Sequence, residues 1–333
     1  DRKERFMEKI PIIIDCDPGV DDALAIILAL HHPQIDLRAL CSVTGNGNLE
    51  NTTRNAKDIL ALCERRDVPV YRGCGVALDG QQPETVESSF GEDGLGGCAF
   101  SIASDNDIMQ EHAVDFLIKE IGEHPGEITL FAIGPCTNIA SAIRRDSTFA
   151  SKVKRLIIMG GGKCTGNMSP VAEYNFWADP LAAKIVFEAG FPKVEMIGLD
   201  VTNKIALAAD VREMIRIFDT PISRFIYQAT QKGVDDNWNF RKYPAAPMHD
   251  VLTVGYLIDE SVLEMKDAFI EIEVEGLSKG QSLVDVGGYW HGGQCNARYA
   301  AEVDCQKFYE IFLNTIFPER ENEIKEFMEK EWR

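Results

Sequence analysis

The chain is expected to form one α/β domain, an open and mainly parallel central sheet flanked by helices. Short β-branched runs alternate with amphipathic stretches, and no internal repeat or low-complexity linker divides the 333 residues. Strands are expected at Ile10–Asp15, Leu37–Val43, Pro69–Arg72, Ile128–Gly134, Leu156–Gly160 and Glu195–Val201. Between them the spacing predicts helices at Asp21–Leu30, Leu49–Cys63, Asp107–Gly122, Thr137–Arg144 and Pro180–Ala189, the arrangement of successive βαβ units. Beyond Val201 the pattern turns helical, from Asp210 to about Lys232 and again after Asp250. Strands return at Phe269–Glu275 and Ser282–Val286, and the last helices are expected from about Ala301 to Arg333. Glu319–Lys330 alternates in charge, as a solvated helix face does.

Composition narrows the class of ligand. A 45% apolar content supports a sizeable core. The longest apolar run, Ala23–Leu30, stops at His31-His32 and falls well short of a membrane span. The segment Asp1–Lys9 is charged and lacks the order of a secretory signal, so it is expected to be a flexible extension and the protein cytoplasmic. The nine cysteines are scattered with no C-x-x-C pair, which fits reduced core thiols better than disulfides or zinc. A net charge of −19 would repel nucleic acids and polyphosphates, and no basic cluster offsets it. A neutral or cationic small molecule is the expected ligand, with no membrane partner.

The most informative segment is Ile12 to Asp22, a buried strand followed by four carboxylates, Asp15, Asp17, Asp21 and Asp22, within eight residues. Parallel sheets place ligands at the carboxyl ends of their strands. Pro18-Gly19 makes a tight turn, and Asp21-Asp22 open a helix whose positive end tolerates negative charge. Helix capping would account for one or two of these aspartates and not for four. A helix dipole, worth about 0.3–1 kcal/mol, cannot hold several converging carboxylates ionised in a drying cleft, so a cation is the natural partner. Oxygen-only ligands indicate Ca²⁺ or Mg²⁺, and the lack of a phosphate-binding loop favours Ca²⁺.

The D-x-D-P-G-x-D-D-A pattern at Asp15 to Ala23 resembles the signature of the inosine/uridine-preferring nucleoside hydrolases, the N-ribohydrolases. Further blocks follow in that family's order: Thr44-Gly45-Asn46, Gly134 to Ala140, Met159 to Gly162, Gly166-Asn167, Val171 to Asn175, Ala178-Asp179-Pro180 and His249-Asp250. The resemblance implies a Rossmann-like nucleoside hydrolase fold. It also implies a metal-dependent cleavage of the N-glycosidic bond to free base and ribose, serving purine salvage and nucleoside catabolism, in a homodimer or homotetramer.

By that resemblance Asp17, Asp22 and Asp250, with the backbone carbonyl of Ile133, would hold calcium, and Asp17 would also be the general base. Asp15 would support this shell by hydrogen bonds, and Asn46 would orient a carboxylate or the attacking water. Asp21 and Asn175 are assigned to the ribose 2′- and 3′-hydroxyls, Asn167 and Glu173 to the 5′-hydroxyl; Asp250 faces the substrate as well. These groups suit a polyol, and negative charge near C1′ favours the oxocarbenium-like sugar. Ordinary loop hydrogen bonding would explain Asn167, Glu173 or Asn175 singly, but not their joint spacing. Gly160 to Gly162 lack the G-x-G-x-x-G spacing of a dinucleotide loop.

His249 is the candidate for assisting departure of the base, since imidazole titrates near neutrality; a bond to Asp250 is its plainer role. The chain departs from the family at Phe90, where many members have histidine. Phe90 can stack on a base, with Trp238, Tyr174 or Tyr243 as a second aromatic wall, and Arg241 can contact O6 or N7 of an oxopurine. Inosine and guanosine are therefore the expected substrates of this purine-leaning member. A haloacid-dehalogenase-type phosphatase also carries D-x-D after a first strand, but Gly19 and the following Asp pair depart from it. A non-catalytic nucleoside or ribose binding protein would need neither Asp17 nor His249.

Overall fold

The computed structural model describes residues 9–84, 91, 93–98 and 108–331. Ten of the described strands form one sheet: β1 (Ile10–Cys16), β2 (Ile35–Ser42), β3 (Val70–Arg72), β4 (Ile108–Met109), β5 (Thr129–Ala132), β6 (Arg155–Met159), β7 (Val194–Ile197), β10 (Leu263–Ile272), β11 (Ser282–Val286) and β12 (Ala297–Val303). A small ribbon pairs β8 (Ala206–Ala208) with β9 (Ala245–Pro247). The sheet order is β11-β10-β12-β7-β6-β5-β1-β2-β3-β4, parallel from β12 to β4, with β10 antiparallel to both of its neighbours. Strand order reverses where β1 lies between β5 and β2, so the carboxyl end of β1 opens at a topological switch point.

Among the described residues the helices are α1 (Val20–His31), α2 (Leu49–Leu62), α3 (Ala113–Glu123), α4 (Thr137–Arg145), α5 (Phe149–Lys152), α6 (Tyr174–Ala178), α7 (Pro180–Glu188) and α8 (Leu199–Thr202). After them come α9 (Ala209–Phe218), α10 (Pro221–Ala229), α11 (Gln231–Arg241), α12 (Val251–Ile258), α13 (Cys305–Ile316) and α14 (Glu321–Glu331). None is long and apolar enough to cross a membrane.

The unbroken Ile12-Ile13-Ile14 run is what a strand covered on both faces requires. Its pleat sends Ile12 and Ile14 into a core with α1, α12 and α13, and Ile13 into a second core with α3, α4 and α7. Asp15, two residues beyond Ile13, therefore points toward α4, where Asn138 waits for it.

Four expectations shift. Glu195–Val201 is not one strand: β7 stops at Ile197 and Leu199–Thr202 is helical. Gly198 marks the break, because its backbone lies so close to the Gly161 carbonyl that a Cβ would stand 2.7 Å from it. The helix expected from Asp107 starts at Ala113, where the His112 ring accepts from the Val114 N–H, and β4 precedes it. The helical stretch beyond Asp210 is three helices: left-handed Asp219 and Pro221 separate the first two, and Thr230 separates the second from the third. Ala301 lies in β12 and not in a helix; that strand is poor in β-branched residues and is held by pairing to β10 and β7.

Candidate active site

At the carboxyl end of β1 the chain turns through Pro18-Gly19 into α1 and buries Asp17, Asp21 and Asp22. Asp250, at the start of α12, meets them from the other side. Carboxylate oxygens of Asp21, Asp22 and Asp250 lie within 4.8 Å of one another. Oxygen ligands about 2.3–2.6 Å from one calcium ion lie at most about 4.6–5.2 Å apart, so three oxygens this close can share one ion.

Backbone and amide donors fix the acids in place. Asp22 accepts from the backbone N–H groups of Asp17 (3.1 Å) and Gly19 (3.0 Å) and from the Asn46 side-chain amide (3.0 Å). Asp17 Oδ2 accepts from the Asn46 N–H at 2.7 Å, while Asp17 Oδ1 is buried with no hydrogen-bond partner. Two glycines make room for that carboxylate. A Cβ at Gly45 would stand 2.0 Å from Oδ2, and one at Gly134 would stand 2.6 Å from Oδ1. Below this layer Asp15 accepts from Asn138 Nδ2 at 2.7 Å, and burial pushes its carboxyl up to about 8.

The electrostatics of the cluster follow from crowding. Loss of hydration, with repulsion from Asp22, raises Asp21 from 3.8 to about 7. Desolvation raises Asp22 to about 6 against its several donors, and Asp17 and Asp250 are pushed well above the usual range by burial and by the other acids. Crowded and buried in this way, the acids favour a proton or a cation beside them over bare negative charge. The partnerless Asp17 oxygen, the glycine cradle and the all-oxygen donor set fit a hard divalent ion.

Above the acids lies a cavity of about 420 Å³, with Asp21, Asn46, Ile133, Asn175, His249 and Asp250 in its lining. Asn167, Glu173 and Tyr174 line one wall, and Asp236, Asn237, Phe240 and Arg241 of α11 line another. Asn175 donates through Nδ2 to the carbonyls of Ile133 and Met159 (3.0 Å each), which leaves its amide oxygen for a ligand donor. Glu173 caps α6, accepting from Asn175 and Phe176, and also accepts from the Gly161 N–H at 2.8 Å. Burial lifts its carboxyl to about 7. Asn167 holds the same turn by accepting from the Tyr174 N–H at 2.9 Å.

The model of the inosine-uridine preferring nucleoside hydrolases matches residues 12–310. The chain belongs to this family. It is 34% identical over 315 residues to the pyrimidine-specific ribonucleoside hydrolase RihA of Escherichia coli O8, covering 92% of this chain and 98% of that one. It also resembles the solved structure of a plant nucleoside hydrolase, the PpNRh1 enzyme, with a TM-score of 0.87 and 32% identity over 92% of this chain and 98% of the other. The purine-preferring ribonucleoside hydrolase from Gardnerella vaginalis gives a TM-score of 0.87 and 28% identity over 94% and 99%.

The structure of this nucleoside hydrolase gathers most of the residues singled out in the sequence, with three differences at the base end. Phe90 lies outside the described residues. Trp238 is 51% exposed and Tyr243 equally so, and neither lines the cavity. The helical phase of α11 explains this: Gly233, Asp236, Asn237, Phe240 and Arg241 share one face at spacings of three and four, and Trp238 falls off it. Reading Asn237–Arg241 as a helix would have found Phe240 in place of Trp238.

His249 lines the cavity, and its Nδ1 lies 2.9 Å from the Thr202 hydroxyl, a partner in α8 that no local signal announces. Desolvation of the ring, with the Arg241 guanidinium nearby, lowers it to about 4, so the imidazole is neutral near pH 7. Beside Met159 of the Met159–Gly162 block, Met168 adds adaptable apolar surface that the sequence pattern did not single out.

Proposed function

We propose that this nucleoside hydrolase acts on ribonucleosides with the help of bound calcium, releasing free base and ribose, and that it favours inosine and guanosine. The observation that carries the reading is the partnerless, buried Asp17 oxygen next to the Asp21, Asp22 and Asp250 trio, of which Asp21 and Asp250 line the cavity. Asp17, Asp22, Asp250 and the Ile133 carbonyl would hold the ion, which supplies positive charge to keep these acids ionised and to acidify water.

Asp17 Oδ1 takes a proton from the attacking water while Asn46 keeps Oδ2 still. The water oxygen bonds to C1′, and the base leaves with the electron pair of the glycosidic bond. Asp21 and Asn175 hold the 2′- and 3′-hydroxyls, and Asn167 and Glu173 receive the 5′-hydroxyl, so the ribose sits over the acids as its positive charge develops. His249 serves as a neutral hydrogen-bond donor to the departing base, its other nitrogen set by Thr202.

The purine preference is supported by Arg241 and Phe240 in the cavity wall, a cation for an oxopurine edge and a ring to stack on. A preference for uridine and cytidine is the second reading, favoured by the likeness to the pyrimidine-specific RihA. Free base and reducing sugar should be measured from inosine, guanosine, adenosine, uridine and cytidine, before and after removal of Ca²⁺. Metal-dependent release ranked with inosine and guanosine first is expected. Uridine ahead of inosine would reverse the preference, and undiminished cleavage after chelation would remove the calcium.

A further inference from the structure

Ser282 opens β11, far along the chain from every residue of the site, and is buried. Its hydroxyl makes two bonds to a single residue. It accepts from the Gly162 N–H at 2.9 Å and donates to the Gly162 carbonyl at 2.9 Å. Gly162 closes the Gly160-Gly161-Gly162 run that leaves β6. Within that run Gly161 takes φ +68°, and a Cβ on it would meet the Phe176 ring at 2.6 Å and Ser282 Oγ at 2.7 Å. The next contact reaches the site: the Gly161 N–H donates to Glu173 Oε2 at 2.8 Å.

The same short stretch also braces the strip that carries Glu173. Gln281 forms an antiparallel bridge with Ala172, and Gly280 backs onto Trp177, where a Cβ would stand 2.6 Å from the Trp177 Cα. Lys279 Nζ lies 4.8 Å from the centre of the Trp177 ring. Residues 279–282 thus hold residues 172–177 along one side while Ser282 holds the glycine run facing them. Without the hydroxyl, the buried N–H and carbonyl of Gly162 would have to find new partners. The Gly161 carbonyl keeps the Leu199 N–H at 2.9 Å, but glycines offer little resistance to rotation, and a shift of the Gly161–Gly162 peptide carried through Gly161 into the preceding Gly160–Gly161 peptide turns the Gly161 N–H away from Glu173.

We infer that Ser282 is a positioning residue for the ribose end of the site, aiming Glu173 through Gly161, whose N–H it steadies from the adjoining Gly161–Gly162 peptide. The inference rests on the reading of Glu173 as the acceptor of the 5′-hydroxyl. Ser282 is not among the residues lining the cavity, so its removal should cost only the discrimination that Glu173 provides.

The test compares kcat/KM for the best-cleaved nucleoside, inosine on the reading above, with that for its 5′-deoxy counterpart, in the metal-replete wild type, Ser282→Ala and Glu173→Gln. Ser282→Ala is expected to lower kcat/KM for inosine by about three- to tenfold, mostly through KM, the range of one neutral hydrogen bond. Cleavage of 5′-deoxyinosine should be unchanged. Ser282→Cys, which keeps the volume with a weaker donor, should shift the ratio the same way and decides the matter if the alanine variant does not fold. An unaltered ratio in the serine variants alongside a collapsed ratio in Glu173→Gln overturns the inference. An unaltered ratio in Glu173→Gln overturns the assignment of Glu173 instead.

Discussion

The backbone N–H of Asn46 donates to Asp17 Oδ2 at 2.7 Å. The Asn46 side chain reaches the neighbouring acid, Asp22, at 3.0 Å, so one residue after β2 orients two carboxylates after β1. Asn46→Ala keeps the backbone donor and removes the amide. Because groups that orient ligands are commonly worth tenfold or more in metal affinity, Ca²⁺ should bind about ten- to a hundredfold more weakly. Titration calorimetry on the chelated protein reads this directly, and an affinity within about twofold of wild type would refute the role given to Asn46.

Asp17 is the acid whose loss should separate chemistry from folding. Removing a buried, repelled carboxylate relieves desolvation, so Asp17→Ala should unfold at or above the wild-type temperature in chelator. Base release should fall by about 10²–10⁴-fold or more, since proton abstraction and ion binding are lost together. Activity near wild type would exclude Asp17 as the base.

The raised carboxyls give stability a definite pH sign. Asp22, Asp21 and Asp15 titrate at about 6, 7 and 8 when folded, against 3.8 as the ordinary value. Above 3.8 the folded form binds more protons than the unfolded form, so their stabilising protonation is lost as pH climbs through 6 to 8. Chelated protein should therefore lose on the order of 5 °C in Tm between about pH 5.5 and pH 8. On the proposed reading calcium would replace the protons on the Asp cluster, so the Tm gain from Ca²⁺ should grow over the same range. A gain independent of pH would show that these acids are not where the ion binds.

What was legible in the sequence is what adjacent residues dictate. An isoleucine run covered on both faces, a Pro-Gly turn and two aspartates at a helix start place the acid layer almost unaided, and Glu173 and Asn175 sit two apart at the cap and first turn of one short helix. Contacts made by distant pairing left no local mark. Thr202 reaches His249 from 47 residues away and Ser282 reaches Gly162 from 120, and nothing in either neighbourhood announces the partner. Trp238 misled for a different reason: its size suggested an aromatic wall, but the phase of α11 turns Phe240 and Arg241 to the cavity instead.

Arg241 offers a direct test of base preference. A charged donor to a purine oxygen or ring nitrogen is worth about 1.5–3 kcal/mol, so Arg241→Ala should lower kcat/KM for inosine by about ten- to a hundredfold. Uridine, which lacks the imidazole ring, should change by less than about threefold. Equal losses on both nucleosides would mean that Arg241 steadies α11 and does not read the base.

The glycine cradle around Asp17 provides the sharpest steric prediction. A Cβ at Gly134 would lie 2.6 Å from Asp17 Oδ1 and 3.1 Å from the Asp17 backbone nitrogen, so the carboxylate must swing away or the β5–α4 loop must shift. Either outcome moves the proposed base off its line, and misplacement of about 1 Å in such a group can cost a hundredfold in rate. Gly134→Ala should thus lower base release by about a hundredfold while the sheet still forms. Gly122 is the control, exposed in α3 with nothing within 4 Å of a Cβ. There alanine is the better helix former by up to about 1 kcal/mol, so Gly122→Ala should raise Tm and leave activity unchanged. Equal activity in the two variants would mean that the space beside Asp17 is not required for catalysis.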